Sequence, residues 1–471
     1  MRLTTPSVTR RSVLASLAAY GGYALGQSYL PGIPNIGVKG ENNPQRTECG
    51  VGALMPWADG LYAVTYNSSG KTTGNGLGLY RIDDSLKIEG LDMPNGVYAN
   101  RYIHHASNQC IIGPYIIDAG GKWRRIEGLV EHRLTSTMRH LTDPQNRVYF
   151  QTMEGLFFEM DIGDLKPRLL FNLSENMKIT EQPHFKGGFT AQNRVVVTNN
   201  GFFKYGQNQA GLFEWEGGKT WRRISDKPHM DVAARQNMGS VMFCSGWDEK
   251  SVLFRALVEG KWQLYRLPKP SHAFEQGWQT EWMRIREIET EHYMMDIQGM
   301  FYELQPIAFE GHVWGVKPVC QHLRTIPDYC SFRGMLALGG NETSPNGDNN
   351  AVAGQPQSGI WFGKSDDLWS WGRPQGWGGP WREEMVTAGV PSDPFLFLNF
   401  EHKMLHLLSE KSTTVDIEID FLGNGTWVKY ETVKLTGGQY HPVIFQDGFS
   451  AQWIRLIPGV SCKMTAEFMF T

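Results

Sequence analysis

Gly121-Lys122-Trp123-Arg124-Arg125-Ile126 recurs as Gly218-Lys219-Thr220-Trp221-Arg222-Arg223-Ile224 and as Gly260-Lys261-Trp262-Gln263-Leu264-Tyr265. Each copy follows a turn and opens a strand that carries an aromatic residue. A fainter copy, Gly425-Thr426-Trp427-Val428-Lys429-Tyr430, lies nearer the C-terminus. A second phrase, Gln-Asn-Arg before an apolar run, stands at Gln145 to Phe150 and Gln192 to Val197, with a looser relative in Phe332 to Leu338. Helical periodicity is scarce after residue 40. Short apolar or alternating runs take its place, such as Leu61-Tyr62-Ala63-Val64-Thr65-Tyr66 and Arg194-Val195-Val196-Val197-Thr198, each bounded by turn residues. Repeats of this grain, four short strands each, predict a β-propeller. At about 50 to 60 residues per blade the chain holds seven or eight blades, and the reading adopted is an all-β, seven-bladed β-propeller. A right-handed β-helix fits the irregular period less well, and a pair of β-sandwiches is the other alternative. From Asp393 the strands lengthen, as in Val415-Asp416-Ile417-Glu418-Ile419-Asp420-Phe421, so 393–471 is either a closing blade or a sandwich-like cap.

Composition narrows the class. The 471 residues are 41% hydrophobic and 12% aromatic, too apolar for a disordered chain. Lys+Arg 45 against Asp+Glu 48 leaves a net charge of −3, which excludes a generic basic nucleic-acid binder but leaves room for a local basic cleft. Six cysteines in this length do not make a disulfide scaffold. No run approaches the roughly 18 to 20 apolar residues of a membrane span. At the N-terminus, Arg10-Arg11 precedes the short apolar stretch Val13 to Leu25, and Ala24 and Gly26 suit a cleavage site after Gly26. This predicts a twin-arginine signal over 1–26 and a periplasmic or secreted location; the remainder, 27–471, is expected to be a single catalytic propeller domain and a monomer.

Two constellations carry chemistry. Cys320-Gln321-His322 with Cys330 offers thiolates and an imidazole suited to tetrahedral zinc, and Cys462 is the candidate fourth ligand. On spacing alone, a zinc set and buried free thiols beside a surface histidine are both open. Cys49, Cys110 and Cys244 lie in apolar strands and read as core. The second constellation is His104-His105, Arg139-His140, His184, Tyr205 and Arg222-Arg223. Cutting a uronate polymer by β-elimination needs a cation against the carboxylate, a base for the C5 proton and an acid for the departing oxygen. Arg, His and Tyr meet those needs without the carboxylate pair of most glycosidases, and no such pair stands out. The segment Trp369 to Trp381 is dense in Trp, which either stacks on sugars or closes a loop layer.

Several stretches resemble the seven-bladed propeller enzymes that act on rhamnose–glucuronate linkages: the ulvan lyases, the L-rhamnose-α-1,4-D-glucuronate lyases and related α-L-rhamnosidases. They are Glu48 to Trp57, Ile111 to Asp118, Arg139 to Pro144, Glu281 to Arg286, His322 to Cys330 and Leu368 to Trp381. The resemblance implies a polysaccharide lyase whose substrate is an acidic, rhamnose-linked uronate polysaccharide. It assigns catalysis to His140, to Tyr205 after Asn199-Asn200-Gly201, and to Arg222 beside Trp221. No histidine follows His140 before His184, so His184 is the candidate second catalytic histidine. His104, Arg284 and Arg324 are the candidate substrate contacts. The resemblance also implies a structural zinc on Cys320, His322, Cys330 and Cys462. The rhamnosidase branch expects a histidine where this chain has Gln45 to Gly50, which holds none. An α-L-rhamnosidase and a non-catalytic sugar-binding propeller remain the alternatives.

Overall fold

The computed structural model describes residues 32–33, 48–67, 78–94, 96–179, 183–201, 209–235, 241–271, 283–289, 292–297, 299–343 and 359–471. The export signal expected over 1–26 and Tyr205 lie outside them. Among the described residues the chain is nearly all β, and no helix is long and apolar enough to cross a membrane.

Strands group in fours, paired antiparallel in chain order, over 48–92, 101–125, 134–172, 185–225, 229–267 and 284–321. A further group, over 329–363, takes Gly32–Ile33 from the N-terminal side as its last strand, on Gly359–Gly363. The first strands of successive groups pack side by side. Glu48–Trp57 neighbours Arg101–His104, and the series runs on to Tyr329–Phe332, which lies against Glu48–Trp57 again. This is the arrangement of a β-propeller.

The repeated phrases mark fixed places in it. The Gly-Lys-Trp copies open the fourth strand of three groups: Trp123–Arg125, Arg222–Ser225 and Lys261–Leu267. Gln192-Asn193 is the two-residue turn from Phe185–Ala191 to Arg194–Asn199, with both residues at positive φ. Arg333-Gly334 makes the same turn between Tyr329–Phe332 and Met335–Thr343. Both match the left-handed geometry of a tight hairpin. The middle strands read as continuous apolar runs because neighbouring groups cover both faces. Arg194–Asn199 is buried at every residue after Arg194.

The fainter copy does not belong to this series. Gly425-Thr426-Trp427 precedes Val428–Leu435, a strand of a separate C-terminal unit. One sheet there runs Gly376–Val386, Cys462–Phe470, Lys403–Ser409, Tyr440–Ile444. The other runs Phe395–Leu396, Trp453–Pro458, Thr413–Asp420, Val428–Leu435. In Thr413–Asp420, Val415, Ile417 and Ile419 are buried and the residues between them are not, the mark of a sheet covered on one face. Leu405, Leu407 and Phe468 of the first sheet pack on Val415, Ile417 and Leu456 of the second. The unit is fixed to the propeller by the parallel pair Arg266–Phe395 and by Trp453, whose Nε1–H donates to Val313 O at 2.8 Å.

Candidate functional site

The first strands surround an axial channel of about 340 Å³, lined among others by Arg101, Thr135, Gly187, Asp231 and Arg286. A Cβ on Gly187 would come within 2.9 Å of Met230 O, so glycine lets neighbouring strands approach here. Charges cross the channel in pairs. Asp328, fully buried, accepts Arg101 Nε at 3.0 Å, Arg286 Nε at 2.7 Å and Leu54 N–H at 2.7 Å. Arg286 also meets Asp231 at 2.9 Å, and Asp231 accepts Ile285 N–H at 2.8 Å. Burial alone would raise the Asp328 carboxyl. Arg101 and Arg286, with the Leu54 amide, outweigh it and hold Asp328 below the usual carboxylate range.

Where the C-terminal ends of several first strands gather, the channel opens into a recess of about 910 Å³. Tyr102 and His105 come from one strand end, Arg139 from the next, and Arg235, Glu287 and Glu289 from two others. His105 is exposed, and Tyr102 and Arg139 are half-buried. Arg235 and Glu287 form an ion pair at 3.0 Å. Arg139 has no ion pair among the described residues. The recess thus holds an imidazole, a phenol and a guanidinium with no ion pair among the described residues.

The histidines first assigned to catalysis and substrate contact do not line it. His140 is buried behind Arg139. Its Nδ1 accepts the Asp143 amide at 2.9 Å and the Thr142 amide at 3.3 Å, so the ring proton sits on Nε2, 3.2 Å from Glu159. The ring stacks on Tyr149 at 4.3 Å. Burial pushes its pKa down more than Glu159 raises it. A neutral ring with both nitrogens committed is not a free base. His104 is likewise buried, with Nδ1 2.7 Å from the Ser107 hydroxyl and Nε2 3.2 Å from Pro144 O, and burial lowers its pKa.

Arg222 is bound to Glu214 through Nε at 2.7 Å and through a second guanidinium nitrogen. That fully buried carboxylate also receives Arg194 and, at 2.8 Å, Trp262 Nε1–H. His184 lies elsewhere. It precedes the first strand of its group, with Nδ1 2.8 Å from Asn200 Oδ1. Arg222 sits on the fourth strand opposite Glu214, itself opposite Val196. Strand spacings then separate it from His184 by roughly 13 Å along the strands and 14 Å across them. His140, His184 and Arg222 therefore do not form one site. Arg284 opens the strand whose far end lines the recess, and its buried guanidinium donates to Met283 O at 2.8 Å. Arg324 lies on an exposed turn beside His322. Neither lines the recess.

The expected zinc set is not assembled. Cys320 packs with Ile326, Tyr329 and Leu338. Cys330 follows Tyr329 on a strand and so points to its opposite face, into a core with Val51, Leu54 and Ala337. Cys462 lies in the C-terminal sandwich, 3.3 Å from the Ser409 hydroxyl. His322 commits Nε2 to the buried Asp296 at 3.1 Å. Burial pushes the Cys320 and Cys330 thiols up to about 12. Among the described residues no three His, Cys, Asp or Glu groups are placed to hold a metal. This donor set does not fit the ion.

The missed residues were half visible. His105 and Arg139 stand next to the histidines first chosen. Tyr102, Arg235 and Glu287 gave no signal, because only the ring brings their strand ends together.

No protein-family model matches the chain, and no curated protein does. Among solved structures it is similar to the RRP9 WD40 repeats, at 10% identity and TM-score 0.42 over 71% of this chain and 99% of that one. It is also similar to U3-55K, at 11% identity and TM-score 0.41 over 70% and 98%, and to a chain of the mitotic checkpoint complex, at 8% and 0.41 over 77% and 97%. Likenesses this weak carry no argument.

Proposed function

We propose that the protein is an exported polysaccharide lyase that cleaves an acidic, uronate-containing and rhamnose-linked polysaccharide at the mouth of a seven-bladed propeller. The blade number is supported by the strand groups and by the series of first strands that returns to its start. The observation that carries the activity is the recess itself: His105, Tyr102 and Arg139, which has no ion pair among the described residues, line one cavity at the end of the channel.

In this reading Arg139 faces the uronate carboxylate and stabilises the negative charge that develops when C5 loses its proton. His105 takes that proton. The electron pair of the C5–H bond forms the C4–C5 double bond as the C4–O bond breaks. Tyr102 is the candidate donor of a proton to the departing oxygen. The products are an unsaturated uronate and a new free end, with no oxidant or co-reactant needed. Incubation with a panel of uronate polysaccharides, read by ultraviolet absorbance, tests this, because only elimination creates the conjugated double bond. His105→Ala should lower turnover by about 10² to 10⁴-fold.

The second reading is a saccharide-binding propeller without catalysis. It is favoured by the commitment of His140 and Arg222 to buried carboxylates. Binding of the same polymers with no rise in absorbance would select it. The export part rests on Arg10-Arg11 and the apolar stretch behind them. Replacing both arginines by lysine should leave the precursor in the cytoplasm. Normal export of that variant would rule out the twin-arginine route.

A further inference from the structure

A second cavity, of about 530 Å³, lies between the Trp-rich turn and the C-terminal sandwich. Its volume is within the usual range of small-ligand sites. It shares no lining residue with the recess at the channel mouth. Its walls include Trp369, Trp371, Arg373, Asn399, Glu401 and Lys403.

These residues divide into an aromatic wall and a charged one. Trp369 is 48% exposed, a large apolar face left in water. Lys317 Nζ covers one side of its ring at 4.4 Å. Trp371 is fixed edge-on against Trp361 at 5.4 Å, so the aromatic wall is held from behind. Arg373 and Glu401 pair at 2.6 Å at the exposed rim. Lys403 is the unusual member. It is 4% exposed, yet its ammonium meets no carboxylate among the described residues. Nζ donates to Phe400 O at 2.6 Å and to Phe449 O at 2.8 Å, which uses two of its three N–H groups. The Phe397 ring lies 5.3 Å from Nζ and Asp447 acts on it from beyond ion-pair distance, so among the described residues the ammonium is only partly compensated, and an anion in the cleft would complete it.

We infer that this cleft is a second saccharide site that binds an acidic sugar ring, with Trp369 under the ring face and Lys403 completing its carboxylate. The choice of a saccharide as ligand rests on the function proposed above; the charge and the aromatic platform do not. The site does no chemistry. It holds a stretch of polymer away from the reacting uronate, which adds a second point of attachment on a long chain.

The test is calorimetric titration of the full chain carrying Arg139→Ala, so that the probe is not consumed. The probes are a glucuronate tetrasaccharide and its carboxyl-reduced form. The acidic form should bind and the reduced form should bind at least about tenfold more weakly. Adding Trp369→Ala should weaken the acidic form about tenfold, the upper end of one aromatic contact, without lowering the melting temperature. Adding Lys403→Met should abolish the preference for the acidic form. If that variant fails to fold, the comparison of the two probes on the parent protein still decides the charge. Equal binding of the two probes, or unchanged binding after Trp369→Ala, overturns the inference. Binding here, together with a native protein that makes no unsaturated uronate from any uronate polymer, would sink the lyase reading and leave this site standing.

Discussion

Asp328→Asn probes what holds the propeller's axis together. The native carboxylate accepts from Arg101, from Arg286 and from the Leu54 amide, so one side chain joins three separate strand groups to its own segment. Asparagine keeps the shape but removes the charge. Arg286 would retain Asp231 at 2.9 Å, whereas Arg101 would keep no carboxylate among the described residues, only Leu54 O at 2.8 Å, Tyr329 O at 3.2 Å and the Met55 sulfur at 3.9 Å. Breaking a buried ion pair by removing one partner costs about 3–5 kcal/mol. The new amide also turns an N–H toward a donor, a cost of about 1–3 kcal/mol that overlaps with the first. A loss of about 3–5 kcal/mol is therefore expected, or a melting temperature lower by about 6–10 °C at roughly 2 °C per kcal/mol for a chain of this size. Thermal melting followed by near-ultraviolet circular dichroism measures it. The pH dependence has a definite sign. Asp328 has a depressed pKa in the fold, so its contribution is complete above the unfolded value and is lost as pH falls through the folded one. The gap between native and variant should be constant above about pH 3.9 and shrink below it. A variant that melts within about 2 °C of the native protein at pH 7 would show that this network does not hold the axis.

Other outcomes follow from the same contacts. His229 is fully buried, donates Nδ1–H to Lys227 O at 2.7 Å, and is held neutral by burial, which draws its pKa down to about 3. Protonation therefore favours the unfolded chain, and stability should fall by up to about 1.4 kcal/mol per pH unit below about pH 6.5; a flat melting temperature between pH 6.5 and pH 4.5 would contradict this. Arg222→Ala should change turnover by less than about threefold, because its partner is the structural Glu214, while Arg139→Ala should cost about 10² to 10³-fold as the loss of one charge-stabilising donor. The reverse order would restore the site first expected from sequence. Cys330→Ala should leave metal content unchanged and lower stability by about 1–2 kcal/mol for the small cavity it opens. Loss of one zinc per chain in that variant would show that the ligand set does assemble.

How far the sequence could be read depended on the range of the contact. Turns were legible because they are local: Gln192-Asn193 and the Gly-Lys-Trp phrases mark hairpins and fourth strands directly. The same local words misled at Gly425-Thr426-Trp427, where a similar phrase precedes a strand of the sandwich instead of a propeller group. The site failed at finer grain. His104-His105 and Arg139-His140 were each recognised as pairs, but which member turns inward depends on where a strand ends and what packs behind it. In both pairs the histidine at 104 or 140 is absorbed by the structure and its neighbour lines the recess. Cys330 shows the same effect, since one step along a strand sends it away from Cys320. The axial network was invisible, because Arg101 and Asp328 meet only when the last strand group returns beside the first.

The most direct measurement is ultraviolet absorbance during incubation of the protein with a rhamnose–glucuronate polysaccharide, run in parallel with Arg139→Ala and His105→Ala. The account predicts a steady rise with the native protein and a rise slower by about 10² or more with each variant, at unchanged melting temperature. No rise with any uronate polymer in the native protein, or a rise that both variants retain in full, would contradict the placement of the chemistry at the mouth of the channel.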